Sequence, residues 1–427
     1  MKLSSKTKIC VIGLGYVGLP LFIEFQKKYD VSGFDLNHRR VKGLLSGYDE
    51  TLEVGPEKLK KLKGKIFSDE HILNNQDIFI VTVPTPIDNK KTPNLSALKK
   101  ACKNIGKYLK KGNYVIFEST VYPGLTEEIC VPILESVSGL LINKDFFVGY
   151  SPERINPGDK KRKLSTITKV VSASHPKALK TIDQLYKSII VAGTFKASSI
   201  KVAEAAKVIE NTQRDINIAL MNELSNLFSD MDIDFSEVLK ASNTKWNFLD
   251  FRPGLVGGHC IGVDPYYLTF KATQIGFNPK MILAGRETNE MVPSVIAKNL
   301  IKHLKERRLK LNNAKGLILG ATFKENCPDF RNSKVVDLIW CLKKSFKYID
   351  IYDPYFENSK DKNHKYAEQF KSLSKIQRSK YDFIIIAVAH KQFQKLINKS
   401  FNPDKNPNLF IYDLKGILSV KYRDLTL

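Results

Sequence analysis

Cys260 sits in the run Gly257-Gly258-His259-Cys260-Ile261-Gly262-Val263-Asp264-Pro265-Tyr266-Tyr267. Two glycines ahead of a thiol let backbone come close to whatever the thiol touches. Asp264, four positions on, brings a carboxylate within reach along a helical turn or across a folded loop. A thiol with a carboxylate nearby and little bulk around it suits covalent chemistry on a small carbonyl. The plainer reading of the same segment is a buried structural cysteine in a glycine-rich turn. Lys207 and Asn211 are four apart on a helical stretch and so share a face. A cation and an amide donor projecting together can hold a developing oxyanion.

A second constellation moves the thiol toward catalysis. Gly13-Leu14-Gly15-Tyr16-Val17-Gly18 follows the apolar run Lys8–Ile12 and opens a helical stretch, and Asp35 ends the next strand 17 residues after Gly18. That is the context of a dinucleotide-binding turn. Gly13 allows the tight turn, Gly15 admits a pyrophosphate, and Gly18 lets helix and strand pack closely. Tyr16 and Val17 carry the backbone between them, leading to a helix N-terminus suited to phosphate. Asp35 would accept hydrogen bonds from ribose hydroxyls and repel a 2′-phosphate, which favours NAD. Arg40 lies close enough in sequence to keep NADP open. Pro84 and Thr85, in Val83-Pro84-Thr85-Pro86, and Thr120, in Glu118-Ser119-Thr120-Val121-Tyr122-Pro123-Gly124, follow strand-like runs. Strand C-termini line the ligand crevice of such a sheet.

The elements that must carry these residues are legible as periodic patterns. Val31–Asp35, Asp77–Val83, Tyr114–Glu118 and Phe146–Tyr150 read as further strands with helices between them, which implies a parallel doubly wound sheet. From Ser198 to Met231 apolar residues recur at helical spacing with no Gly or Pro, predicting one long helix. After Asn312 strand and helix alternate again, with Gly316–Leu319, Tyr348–Tyr352, Asp382–Val388 and Leu409–Tyr412 as strands. The first turn there, Gly320-Ala321-Thr322-Phe323-Lys324, lacks the three-glycine pattern. A second ligand site is expected in that half, not a second dinucleotide site. The expected architecture is α/β, with two Rossmann-like doubly wound domains joined by a long central helix and helical segment: residues 1–197, 198–311 and 312–427.

The chain has 427 residues, 43% of them hydrophobic, and a formal net charge of +24. No apolar run approaches 18 residues, and the N-terminus has no secretory h-region, so neither membrane insertion nor export is expected. Cys10, Cys102, Cys130, Cys260, Cys327 and Cys341 form no C-x-x-C pair, which points to neither zinc nor a disulfide framework and fits a reducing cytoplasm. The lysines are spread thinly. Short runs such as Lys58-Leu59-Lys60-Lys61-Leu62-Lys63 and Lys160-Lys161-Arg162-Lys163 come without a nucleic-acid motif, so a solvated basic surface is the reading, with a field favourable to a diphosphate ligand.

Taken together, Ile9–Pro20, Val202-Ala203-Glu204-Ala205-Ala206-Lys207-Val208-Ile209-Glu210-Asn211-Thr212, Gly257–Tyr267 and Phe323-Lys324-Glu325-Asn326-Cys327-Pro328-Asp329-Phe330-Arg331-Asn332-Ser333 resemble the UDP-glucose/GDP-mannose dehydrogenase superfamily, the nucleotide-sugar 6-dehydrogenases. Tyr150-Ser151-Pro152-Glu153-Arg154-Ile155-Asn156-Pro157-Gly158 and Phe251-Arg252-Pro253-Gly254-Leu255-Val256-Gly257-Gly258-His259-Cys260 look most like its UDP-N-acetylhexosamine branch. The resemblance implies an NAD-dependent four-electron oxidation of a sugar C6 alcohol to a uronic acid for surface polysaccharide synthesis. It implies Cys260 as nucleophile, Lys207 and Asn211 as oxyanion stabilisers, Asp264 in proton transfer, and Glu153 and Thr120 in ordering water and substrate. It further implies Glu153, Arg154, Lys207, Asn211, Arg252, Gly257, Phe323 and Lys324 as substrate contacts, Arg331 as a contact to cofactor phosphates, and a homodimer built on the central helix. The glucose-specific branch reads Gly-Gly-Ser-Cys or similar where this chain has Gly258-His259-Cys260. A UDP-glucose enzyme and a non-catalytic NAD or nucleotide-sugar binder are the alternatives.

Overall fold

A computed structural model of the chain describes residues 1–62, 65–155, 162–356, 364–378, 380–402, 404 and 406–427. Asn156, Pro157 and Gly158 of the expected motif, and Lys63, Lys160 and Lys161 of the basic runs, lie outside the described residues. The chain divides into two compact units, one of residues 1–211 with 266–278, the other of residues 212–265 with 279–427. The division falls inside the long helix, which runs Ile200–Asp230.

The first unit is built on strands β1 Lys8–Ile12, β2 Asp30–Phe34, β3 Ile66–Phe67, β4 Ile78–Val81, β5 Tyr114–Phe117, β6 Phe147–Tyr150, β7 Lys169–Ala173 and β8 Thr194–Lys196. They form one sheet in the order β3-β2-β1-β4-β5-β6-β7-β8. The apolar runs become strands because both faces are covered: Ile9, Val11, Ile80 and Ile116 pack with Phe22 and Tyr186 in one core. The expected parallel course holds from β3 through β6, with one departure beyond it. β7 runs antiparallel to β6, with Gly149 opposite Ala173 and Tyr150 opposite Ser172, and β8 then follows β7 in parallel. The reversal carries Lys169, the first residue of β7, to the end of the sheet where β5 and β6 finish.

The second unit holds a five-stranded sheet in the order β10-β9-β11-β12-β13, from β9 Lys315–Leu319, β10 Tyr348–Tyr352, β11 Phe383–Ile386, β12 Phe410–Asp413 and β13 Leu425–Thr426. All its pairings are parallel. Alternate residues of β9 and β11 enter opposite cores, Ile318 and Ile385 one, Leu317 and Ile384 the other. That alternation is the period of a strand covered on both faces.

One buried polar network, joined where Asn222 donates to the Asn289 side-chain carbonyl at 2.8 Å, fixes the helical part of this unit. Arg286 donates to Asp215 at 2.6 Å, and Asn289 donates to the same carboxylate at 2.8 Å. Asn222 donates to the Gly254 carbonyl at 3.1 Å and accepts from the Gly254 N–H at 2.7 Å. The segment that leads to the thiol is therefore held at its start.

Candidate active site

In the first unit the strand ends converge on the glycine-rich turn. Gly13 has φ +90°, open to glycine and costly for other residues, and a Cβ on Gly18 would lie 1.8 Å from the Gly13 carbonyl oxygen. Gly15 is different: a Cβ there would meet no atom within 4 Å, and its φ is not left-handed. Neither backbone strain nor protein packing asks for glycine at that position, so the open space above it suits a ligand's close approach. The donor set and that opening fit a dinucleotide pyrophosphate, held by residues 13–18 ahead of the helix Gly18–Phe25. Asp35 secures the turn, accepting from the Leu14 N–H at 2.8 Å through one oxygen and from the Asn37 N–H at 2.8 Å through the other.

Arg40 does not serve the cofactor. It is buried, donates from Nε to the Leu14 carbonyl at 2.9 Å, and pairs with buried Asp49 at 2.7 Å. A guanidinium committed to two interior partners cannot turn outward to a 2′-phosphate without leaving Asp49 uncompensated. Arg40 is a structural brace of the turn, and the opening it left for NADP closes.

The loops after β4 and β5 are tied to each other. Ser119 donates to the Val83 carbonyl at 2.7 Å, and Thr85 donates to the Thr120 carbonyl at 2.7 Å. Thr120 and Thr85 are half-buried and Pro84 is exposed. Glu204, on the Ile200–Asp230 helix, accepts from the N–H groups of Gly124 at 2.6 Å and Thr126 at 2.9 Å and so anchors the far end of the Thr120 loop. Burial pushes its carboxyl up to about 7 against those bonds. One turn further along the helix, Lys207 is nine-tenths buried, and its ammonium makes no hydrogen bond or ion pair among the described residues. Asn211 is also buried.

Glu153 lies in a charged cluster the sequence did not reveal. Lys169 Nζ stands 2.6 Å from Glu118 and 3.1 Å from Glu153, and Tyr186 donates to the other oxygen of Glu118. All four residues are buried. Burial lifts the Glu118 carboxyl to about 6 despite the pull of Lys169. Glu153 Oε1 also accepts from the N–H groups of Arg154 at 2.7 Å and Ile155 at 2.6 Å. Arg154 pairs with Glu210 at 2.8 Å.

The thiol loop belongs to the second unit. Gly258 has φ +86°, and a Cβ there would meet the Phe323 ring at 2.5 Å; one on Gly257 would meet the Asn332 carbonyl at 2.5 Å. The two glycines thus allow the thiol loop to lie directly on the 323–333 loop, sealed by a Gly258 N–H to Asn332 carbonyl bond of 3.1 Å. His259 Nε2 meets Asp329 at 2.9 Å, and Arg331 forks onto the same carboxylate at 3.0 and 2.7 Å. Burial works against the charge on Asp329, yet the bonds from His259 and Arg331 hold it well below the usual carboxylate range. Cys260 is partly exposed, and its carbonyl accepts from the buried Asp264 N–H at 2.8 Å where the helix Asp264–Gln274 begins. Lys324 and Phe323 are half-buried, and Arg252 is exposed beside Asp250 at 2.6 Å.

Comparison with known proteins adds the family. Residues 7–190 match the NAD binding domain of the UDP-glucose/GDP-mannose dehydrogenase family, 201–291 its central domain and 317–420 its UDP binding domain. The chain belongs to this family. It is an NAD-dependent oxidoreductase with the family's α/β fold. It is 52% identical to a UDP-N-acetyl-D-glucosamine 6-dehydrogenase of Pseudomonas aeruginosa, over 98% of this chain and 99% of that one, and 48% identical to one of Salmonella typhi, over 99% of each. Among solved structures, the UDP-D-ManNAc dehydrogenase of Pyrococcus horikoshii superposes with a TM-score of 0.87 at 30% identity, covering 98% of each chain. No described helix is long and apolar enough to cross a membrane.

With Arg40 engaged inside, kcat/KM for NAD will exceed that for NADP by at least about tenfold, or ~1.4 kcal/mol, and Asp35→Ser will narrow the gap; equal values in the wild type would remove Asp35 from the ribose site. Glu204 binds its proton more readily folded than unfolded. Its contribution is thus full below the ordinary carboxylate value of 4.5 and is lost as pH rises through about 7. In urea titrations from pH 5 to 8 the wild type will lose stability relative to Glu204→Gln.

Proposed function

We propose that the protein oxidises the C6 alcohol of a UDP-N-acetylhexosamine, UDP-GlcNAc or UDP-GalNAc, to the uronic acid, supplying a precursor for surface polysaccharide. The observation that carries this reading is the 52% identity, over nearly the full length of both chains, with a protein named for that reaction on UDP-N-acetyl-D-glucosamine. Retention of the thiol, Lys207 and Asn211 supports catalysis over mere binding.

NAD, when bound, supplies the hydride acceptor for both two-electron oxidations. Cys260 Sγ adds to the C6 aldehyde as its proton leaves, giving a thiohemiacetal. The second oxidation leaves a thioester at Cys260. Water cleaves the C–S bond, releasing the carboxylate and returning the thiol, so no free aldehyde escapes. Lys207, an ammonium buried without a protein partner among the described residues, offsets negative charge on oxygen in the tetrahedral states, with Asn211 as a neutral donor beside it. Asp264 takes up the proton of the thiol. Glu153 and Thr120 order the hydrolytic water, while Arg154, Arg252, Gly257, Phe323 and Lys324 contact the substrate. Arg331 serves the cofactor phosphates.

NADH production compared across UDP-GlcNAc, UDP-GalNAc, UDP-glucose and GDP-mannose tests the reading, with a UDP-N-acetylhexosamine expected to be used best. Preference for UDP-glucose would replace it. Cys260→Ala will lose the four-electron turnover while NAD binding survives, and near wild-type formation of uronic acid by that variant would sink the covalent route.

The same proposal includes a cytoplasmic homodimer. The six cysteines are free thiols, in keeping with a reducing compartment. On the second unit, Leu220, Leu227 and Met231 of the long helix are exposed, as are Met281 and Met291 of the helix Lys280–Glu306. Apolar exposure on this scale marks an interaction surface. Light scattering at micromolar concentration will give twice the 48.5 kDa chain mass or an even multiple; a fully active monomer would refute the dimer.

A further inference from the structure

We propose that Lys169 is a positioning residue of the reaction, its ammonium clamped between Glu118 and Glu153 so as to fix the acceptor direction that Glu153 keeps for water. The inference rests on the reading of Cys260 and Glu153 given above. Its own support is geometric.

Glu153 is restrained from two sides. Oε1 accepts two backbone N–H groups, and Oε2 faces Lys169 at 3.1 Å. An oxygen has two acceptor directions, so Oε1 is filled and Oε2 retains one, which the lysine aims. The same ammonium, 2.6 Å from Glu118, anchors the residue two before Thr120 and so restrains the second group expected to order water. Tyr186 completes Glu118 from the helix Pro176–Lys187, leaving that carboxylate bound on both oxygens. Nearby, Arg154 is paired with Glu210 and donates to the Thr168 carbonyl at 3.0 Å, so it does not compete for Glu153.

A tie serving only to hold strands together would not need charge here. β5, β6 and β7 are already laddered, and Ser151 donates to the Val170 carbonyl at 2.7 Å across the same junction. Three buried charges at the finishing end of the sheet are costly to assemble, whereas apolar residues would pack that junction without desolvation. The antiparallel course of β7 is what brings the lysine to this end.

The step affected is hydrolysis: water attacks the thioester carbon, the C–S bond breaks, and carboxylate and thiol result. With Lys169→Met, kcat is expected to fall roughly 100-fold, the size of effect that misplacing a reacting group produces, while NADH affinity by fluorescence titration stays within about threefold. Because the oxidations precede the affected step, mixing with UDP-sugar and NAD should give a burst of two NADH per site. Intact mass should then show the sugar nucleotide joined to Cys260. Lys169→Arg keeps the charge but replaces a point ammonium with a planar fork; it should fold, bind NADH and accumulate the same adduct with at least a tenfold slower hydrolysis. If the Met variant does not fold, the Arg variant decides alone. Wild-type turnover by either folded variant overturns the proposal. So does slow turnover without the adduct, or with weakened NADH binding, which would make Lys169 purely structural. Absence of NADH production by the wild type on every UDP-sugar would instead refute the proposed function and leaves a different signature from either variant result.

Discussion

Charge withdrawn from water is costly unless it is paired, and at the strand ends of this protein that cost decides where the side chains point. The loops after parallel strands have no ladder partner of their own, so something else must hold them. In the first unit Arg40 and Asp49 brace the glycine-rich turn, and Lys169 joins the loops after β5 and β6. In the second, Asp215 and Arg286 fix the helices, and Asp329 gathers His259 and Arg331 beneath the thiol loop. Lys169, Arg286 and His259 each find a carboxylate on a different element, so these pairings are also statements about loop geometry. Glu204 shows the same economy with neutral donors, two backbone N–H groups locating the loop that bears Thr120.

What the sequence revealed is what depends on neighbours along the chain. The glycine turn, the thiol loop and the long helix follow from local patterns, and they stand at Gly13–Gly18, Gly257–Cys260 and Ile200–Asp230. What it hid depends on residues brought together from afar. Lys169 and Glu118 are 51 residues apart, His259 and Asp329 are 70 apart, and no periodicity points to either pair. β7 went unread for a related reason: Lys169-Val170-Val171-Ser172-Ala173 has only two strongly strand-forming residues, and its direction is set by pairing with β6. Arg40 was misread because nearness to Asp35 in sequence suggested a shared ligand, whereas its guanidinium turns inward to Asp49, nine residues on.

The two sheets also explain why one chain offers two different nucleotide sites. Their opening turns are built alike. Gly13 and Gly320 both have φ +90°, both donate to the last residue of the neighbouring strand, at 2.8 and 2.9 Å, and each is followed by an N–H bound to an aspartate, Leu14 to Asp35 and Ala321 to Asp353. The divergence comes at the next position. Gly15 leaves open space, but its counterpart Thr322 is fully buried, with its hydroxyl donating to the Lys324 carbonyl and meeting His390 Nε2 at 3.1 Å. His390 in turn accepts the Asn326 N–H at 3.0 Å and faces Asp353 at 3.1 Å. A side chain therefore occupies the place through which a pyrophosphate would approach the turn, and its hydrogen bonds draw the 322–326 loop down over it. The second sheet cannot repeat the first one's mode of phosphate binding. The loop that Thr322 and His390 fold into place is the one on which the thiol segment rests.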